Sequence, residues 1–177
     1  MRKLVLTLVA ITMTVAACGV GGGGGGGKAA APRTTAPTRP VESPLRAVQG
    51  YVDDFNRGDL TAAVLRFAPD AQFITPLGGC APCVGRGAIQ AKLAGAIAAK
   101  TQLSITNPRT RGDTVTAPAS LTSPQLPAGV QRAIGTFTAT VRGGSIVRST
   151  MEYDPSDPQT AALLASVGST PTAKPPN

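Results

Sequence analysis

The spacing of the apolar residues changes once along this chain, and that change is what most constrains its fold. Between residues 44 and 100 the apolar side chains recur every three or four positions, which is typical of amphipathic helices. Between residues 102 and 153 they alternate with polar side chains, which is typical of half-buried strands. Helices followed by a run of strands predict an α+β fold with a curved, mainly antiparallel sheet.

Three helices are predicted before the change of spacing. The first covers residues 44–56, with Ser43 as its N-cap and a proline at its first position. A second, short helix begins after the cap Asp59 and ends at Pro69. The third covers residues 88–100.

Strands make up most of the remaining chain. A short strand at residues 71–75 leads into a turn-rich loop at residues 76–85. Four further strands with alternating apolar residues are predicted at 102–106, 114–121, 131–141 and 145–153. Gly143 and Gly144 suit a tight hairpin between the last two, because glycine readily takes the positive φ that such a turn needs. A final short helix is predicted at residues 159–167, followed by a disordered tail to residue 177.

The first 43 residues predict export and anchoring. A basic start and the apolar residues 4–17 are typical of a signal peptide, and the run is shorter than the roughly 20 residues that span a bilayer. The small residues before Cys18 resemble the bacterial lipobox, whose cysteine is acylated, for example with palmitate; an ordinary signal peptide is the alternative. Residues 18–43 contain eight glycines and are expected to form a disordered tether. We therefore expect an extracytoplasmic lipoprotein in the outer leaflet of the cell membrane.

The charge distribution argues against a nucleic-acid partner. The chain carries a formal net charge of +8, but much of that excess lies in the signal and tether. Nucleic-acid binding favours clustered Lys and Arg with aromatic stacking platforms. This chain has two tyrosines, four phenylalanines and scattered arginines. The expected partner is the membrane, reached through the lipid anchor.

Cys80 and Cys83 form a CxxC pair in the predicted loop. A structural zinc site needs about four ligands, and the chain has no histidine and only one further cysteine, Cys18. A redox CxxC belongs to a βαβ setting in which the motif opens a helix, whereas the helix here is predicted after Gly85. In an exported protein the pair is predicted to form a local disulfide, with free thiols as the alternative. No metal or other cofactor is expected.

Four stretches, in this order and spacing, resemble the SnoaL-like branch of the nuclear transport factor 2-like superfamily. They read GYVDDFNRGDLTAAVLRFAPDAQFITP, GRGAIQAKL, GDTVTAPASL and GTFTATVRGGSIVRSTMEYDP. The resemblance implies one domain at residues 44–157, with residues 158–177 as a short helix and tail. It further implies a cone-shaped barrel in which three N-terminal helices pack on a strongly curved, mainly antiparallel sheet, with a pocket between them.

The larger side chains of the predicted inner face are either the lining of that pocket or simply the core. We favour a pocket, because the many small residues around them, Ala117, Ala119, Ala139 and Ser149 among them, cannot fill the interior of a bent sheet. The predicted lining consists of five aromatic residues, a threonine and a methionine: Tyr51, Phe55, Phe73, Thr75, Phe137, Met151 and Tyr153.

The acid–base groups that the resemblance leads one to expect are missing. In the ketosteroid isomerase pattern, Tyr51 matches the tyrosine that donates to the substrate oxyanion, but Thr75 stands where the general base is an aspartate. Gly135 stands near the place of a protonated aspartic acid. A threonine hydroxyl without an activating partner cannot abstract a proton near neutral pH. Cyclases of this kind use a histidine and an aspartate, and this chain has no histidine; the Asp-Arg-Asp set of the epoxide hydrolases has no counterpart.

The remaining charged candidates are predicted to lie at the surface. Asp53 and Asp54 are expected on a solvated helix face, although one of them could turn inward. Asp154 and Asp157 are interpreted as turn and cap residues, and Arg109 as a hairpin residue.

Three hypotheses follow for the function. The first is a lipid-anchored, non-catalytic domain that binds a small apolar ligand or an envelope protein. The second is an isomerase, dehydratase or hydrolase that uses the same pocket. The third is a ligand-free module that dimerises through its sheet.

Overall fold

A computed structural model describes residues 42–78 and 80–168. The predicted signal peptide, Cys18, nearly all of the tether and the end of the tail lie outside the described residues. Within residues 42–78 and 80–168, none of the helices is both long and apolar enough to cross a membrane.

Four helices are present in the described ranges: α1 (Pro44–Asn56), α2 (Leu60–Leu65), α3 (Gly85–Ala98) and α4 (Pro158–Ser166). The Ser43 side chain caps α1 and the Asp59 side chain caps α2, as predicted. The side chain of Asn56 both donates to the Leu103 carbonyl and accepts from the Leu103 amide, each at 2.8 Å. The end of α1 is thereby joined to the edge of the sheet.

Seven strands form one sheet: β1 (Phe67–Ile74), β2 (Cys83–Val84), β3 (Gln102–Ile105), β4 (Arg109–Arg111), β5 (Thr114–Thr122), β6 (Ala133–Arg142) and β7 (Ser145–Tyr153). The strand order is β2-β1-β7-β6-β5-β3, and β4 pairs with β5. Only the β1–β7 pair among these strands is parallel. The result is a curled, unclosed, mainly antiparallel sheet with helices on its inner side, which confirms the predicted α+β class.

Strand β1 begins at Phe67, four residues before its predicted start. Helix α2 ends at Leu65, so the prediction that the second helix continues to Pro69 was wrong. Phe67 pairs with Ile146 of β7, but the next aligned pair is Gln72 with Arg148. Five residues of β1 therefore span two residues of β7. A strand tolerates a proline at such an irregularity, because no ladder hydrogen bond is required there. This is how Pro69 lies inside β1.

The region around the CxxC pair also differs from the prediction. Cys83 and Val84 form the short edge strand β2, which pairs with Gln72 and Phe73 of β1, where a loop was expected. The third helix begins at Gly85, three residues before the predicted start. Gly85 has a φ of 81°, a conformation that glycine adopts without strain.

The sheet has an apolar inner face and a polar outer face. Val115, Ala139 and Ile146 of β5, β6 and β7 are fully buried in the core. Thr116, Thr138 and Thr150 are direct neighbours on those strands and form a row on the opposite face. The predicted hairpin between β6 and β7 is confirmed, with positive φ at both of its glycines.

Candidate functional site

A cavity of about 710 Å³ lies between α1, α3 and the inner face of the sheet. Its size falls within the range of about 300–1,000 Å³ that is typical of small-molecule sites. The residues in its wall are mostly apolar: Tyr51, Phe55, Phe73, Thr75, Leu77, Gly78, Cys80, Ala88, Ala91, Lys92, Leu93, Gly95, Ala96, Ala99, Thr101, Leu103, Leu121, Ser123, Gln125, Leu126, Phe137, Met151 and Tyr153.

All seven side chains of the predicted pocket lie in this wall. That they contact a ligand remains a prediction. The four small residues that were predicted to surround them do not lie in the wall. They are buried on the inward side of the sheet: Ala117, Ala119, Ala139 and Ser149. The hydroxyl of Ser149 has no hydrogen-bond partner within the described residues.

Aromatic rings surround Tyr51 at one side of the cavity. The Tyr51 ring packs edge-on against Phe67, with centroids 5.1 Å apart, and is stacked on Phe137 with centroids 6.2 Å apart. It also contacts Phe55 on the next turn of α1. Such ring pairs stabilise a core beyond the area that they bury. The Tyr51 ring is therefore held from three sides.

Two tyrosine hydroxyls bring polar groups to this apolar wall. Burial raises the pKa of Tyr51, and the neighbouring Tyr153 raises it further. Burial also raises the pKa of Tyr153, while a hydrogen bond with the Thr75 side chain acts in the opposite direction. Thr75 in addition accepts a hydrogen bond from the Leu77 amide at 3.3 Å. Both tyrosines lie in the cavity wall, so their hydroxyls are among the polar groups of the site.

Lys92 is the one charged side chain among the described residues of the wall, and it was not among the predicted pocket residues. Its ammonium donates to the carbonyl of Leu77 and, at 2.6 Å, to the carbonyl of Gly78. Burial lowers the pKa of Lys92. The signal in the sequence is its spacing: Ala88, Lys92 and Ala96 lie four residues apart, on the helix face that lines the cavity.

Asp54 is buried, so the expectation that it lies on a solvated face was wrong. It is 3 % exposed and accepts a hydrogen bond from the Arg66 guanidinium at 2.8 Å. Arg57 also pairs with Asp54, and Arg66 reaches Glu42 at 3.2 Å. We call these four residues, Glu42, Asp54, Arg57 and Arg66, the polar corner. Asp54 raises the pKa of Arg66 through this hydrogen bond and its charge.

The polar corner is separate from the cavity, because none of its four residues lies in the cavity wall. The other charged candidates are at the surface, as predicted. Asp53 and Arg109 are exposed. Asp157 caps α4 by accepting from the Thr160 amide, and Asp154 accepts from Ser156 in the preceding turn. The hydrogen bonds from Thr160 lower the pKa of Asp157.

Gly135, which stands near the expected place of a second acid, has no room for a side chain. A Cβ there would lie 2.0 Å from the Glu152 carbonyl oxygen and 2.8 Å from the Tyr153 Cα. An aspartate is therefore excluded by the close approach of β6 and β7 at this point.

The CxxC pair lies at the edge of the cavity. The sulfurs of Cys80 and Cys83 are at disulfide distance, with Cα atoms 4.9 Å apart. Cys80 lies in the cavity wall, whereas Cys83 is fully buried. Across residues 42–78 and 80–168 there is no group of three or more Cys, Asp or Glu side chains placed to hold a metal ion.

Comparison with known proteins identifies the same fold. A protein of unknown function from Cytophaga hutchinsonii, described as NTF2-like, is 14% identical, with a TM-score of 0.55; the match covers 68% of this chain and 96% of that one. An epoxide hydrolase/cyclase-like enzyme of pyran ring formation in the polyether salinomycin is 18% identical, with a TM-score of 0.56; coverage is 64% and 92%.

A protein with a ketosteroid isomerase-like fold from Catenulispora acidiphila, in complex with trimethylamine, is 20% identical with a TM-score of 0.56, over 76% of this chain and 100% of that one. These likenesses show the fold alone. Among curated proteins, none matches the chain significantly. The sequence profile of the SnoaL-like domain matches residues 48–149, more than half of the chain. The chain therefore belongs to the SnoaL-like domain family, within the NTF2-like fold.

Proposed function

We propose that the cavity binds a small apolar or amphipathic molecule without transforming it, in a protein that is exported and anchored through a lipid on Cys18. The observation that carries the binding function is the cavity itself. It has about 710 Å³ of space, and aromatic and aliphatic side chains from α1, α3 and the sheet provide most of its wall. Burying an apolar molecule there is favourable by roughly 25 cal/mol per Å² removed from water.

The distribution of carboxylates supports binding over catalysis. No Asp or Glu of the described residues lies in the cavity wall. The nearest in sequence to Tyr51 are Asp53, which is exposed, and Asp54, which is paired with Arg66 in the polar corner. A general base must be within about 3 Å of the proton that it removes, directly or through one water. The hypothesis of an isomerase or dehydratase built on Tyr51 and a neighbouring carboxylate therefore receives no support.

The ligand-free dimerising module is the third hypothesis, and the outer face of the sheet does not favour it. Threonines, Arg148 and Glu152 occupy that face on the central strands. The large apolar side chains that are exposed in the described ranges are Leu65, Val84 and Val167, and none of them lies on β5, β6 or β7. A contiguous apolar patch, which commonly marks a protein interface, is not found on those strands.

Blocking the cavity tests the binding function. Ala96 lies in the wall on α3, so Ala96→Phe should fill part of the space and weaken uptake of an apolar probe at least tenfold. Ala98→Phe is the matched control, because Ala98 is exposed on the same helix and outside the wall. Native mass spectrometry of the full chain in the presence of dodecanol measures the uptake of this probe by both variants. The proposal fails if wild-type protein neither retains a ligand from the cell nor takes up dodecanol.

The anchor is tested separately. Cells that express the full chain are fed an alkyne analogue of palmitate, and we expect label on the wild-type protein and none on Cys18→Ala. Equal labelling of both proteins, or of neither, would refute the anchor and leave the binding function untouched.

A further inference from the structure

Lys92 is half-buried at the cavity wall, and its charge has no counterion among the described residues. Its side chain extends from the middle of α3, and its ammonium lies against the loop that follows β1. Both of its hydrogen bonds go to backbone carbonyls, those of Leu77 and Gly78. Within the described ranges, every ion pair belongs to the polar corner, so no carboxylate neutralises Lys92.

The ammonium also retains donor capacity. A lysine carries three N–H donors, and the two carbonyls account for two of them. Burial of a cation without a partner is unfavourable, and the lowered pKa of Lys92 reflects that cost. An anionic group that entered the cavity would supply the missing charge and accept the third hydrogen bond.

The charge in the cavity wall favours an anion over a cation. The hydroxyl and amide side chains of the wall can donate or accept hydrogen bonds, and the wall includes no carboxylate from the described residues. A positively charged ligand would meet Lys92 without an opposing negative charge. A neutral apolar ligand would leave the ammonium unpaired.

We propose that Lys92 binds the anionic head group of an amphipathic ligand whose apolar body occupies the cavity. This inference rests on the binding function proposed above and specifies the class of ligand. Lys92 is a binding residue in this account, and its contacts with Leu77 and Gly78 hold the ammonium at the wall before the ligand arrives. Carboxylate and phosphate head groups share the chemistry that a lysine recognises.

The test compares four probes that share one apolar chain: dodecanoate, dodecyl phosphate, methyl dodecanoate and dodecylamine. Their dissociation constants are measured by calorimetry on the full chain, below the concentrations at which the probes aggregate. A hydrogen bond to a charged group corresponds to roughly a tenfold or greater change in affinity. We expect at least one of the two anions to bind about tenfold or more tightly than the ester and the amine, and the ranking of the anions identifies the head group.

Variants of Lys92 separate recognition from a merely structural role. Lys92→Met should reduce the affinity for the favoured anion to that of the ester and leave the ester unchanged. Lys100→Met is the control, because Lys100 is exposed beyond the end of α3 and should leave all four affinities unchanged. A loss of affinity for all probes would mean that Lys92 only holds the loop, which overturns the inference.

The remaining outcomes are equally distinct. If anions, ester and amine bind wild-type protein equally well, the inference is wrong and the binding function stands. If none of the four binds, the inference is overturned, and the test for a retained ligand and for dodecanol uptake decides the binding function. If Lys92→Met folds poorly, Lys92→Arg should retain the preference for anions, and loss of that preference would contradict the proposal.

Discussion

Two adjacent stripes of α1 lie in opposite environments. Tyr51 and Phe55, one turn apart, line a hollow apolar cavity. Gly50 and Asp54, also one turn apart, face the polar corner, where Arg66 lies so close that a Cβ on Gly50 would be 2.5 Å from its guanidinium carbon. One stripe therefore borders unfilled space, and the other borders a tightly packed set of charges.

The difference between them lies in how charge is compensated. In the polar corner, the buried carboxylate of Asp54 is neutralised by arginines of the same chain. In the cavity, the half-buried ammonium of Lys92 meets only backbone carbonyls. A charge that is paired internally stabilises the native packing, whereas a charge left without a counterion is available to a molecule from outside.

The largest expected effect is in the polar corner. Asp54→Ala removes the buried acceptor of two charge-assisted hydrogen bonds, from Arg57 and Arg66, so we expect the free energy of unfolding to fall by about 3 kcal/mol. Asp53→Ala is the matched control, since Asp53 is exposed one residue away, and it should change stability by less than about 0.5 kcal/mol. Urea unfolding measures both variants. Equal values for the two would mean that the corner does not stabilise the fold.

An intermediate effect on stability is expected when a larger side chain is placed in the packed core, and a smaller one when it is placed in the cavity wall. Ala63 of α2 is fully buried in the core outside the cavity wall, so Ala63→Leu should overpack the core and cost about 2 kcal/mol. In Ala96→Leu, the new side chain extends into the cavity, where space is available. This variant should therefore change the free energy of unfolding by less than about 1 kcal/mol. Thermal unfolding of the two variants provides the comparison. A loss at Ala96 as large as that at Ala63 would indicate that no space exists there.

The smallest effect concerns alkaline pH. Burial raises the pKa of Tyr51 and of Tyr153 above the ordinary 10.0, so the folded chain holds these protons more tightly than the unfolded chain. Their contribution to stability is complete below about pH 10 and is lost as the pH rises further. Between pH 10 and 11 the loss should be about 1 kcal/mol for each tyrosine. Tyr51→Phe should therefore show a shallower decline than wild type, and an identical slope would contradict the burial of its hydroxyl.

Much of this fold follows from residue spacing. The apolar stripe of the first helix predicts α1 with both of its bounds, and alternation predicts β7 with both of its bounds. The hairpin at Gly143 and Gly144 follows because only a few residue types adopt its backbone conformation. The seven predicted pocket side chains lie in the cavity wall because the apolar face of α1 and the inward positions of the bent sheet border the same space.

Other features depend on contacts between distant residues, which spacing does not reveal. Asp54 has the pattern of a surface residue, and only the fold brings Arg66, twelve positions away, within 2.8 Å. Pro69 indicates a break in local structure, but the irregular register between β1 and β7 accommodates it. In the sequence, Lys92 resembles an ordinary surface lysine. Only the position of α3 at the cavity shows that this side chain lies in the wall.

The most direct test of the cavity is a crystal structure of the full chain determined under xenon pressure. Xenon occupies apolar space in proteins without needing a specific recognition group. Our account predicts xenon density between α1, α3 and the sheet, against Tyr51, Phe137 and Leu103. Closed packing at this place, with side chains of the chain itself filling the volume and no xenon bound, would contradict the central claim.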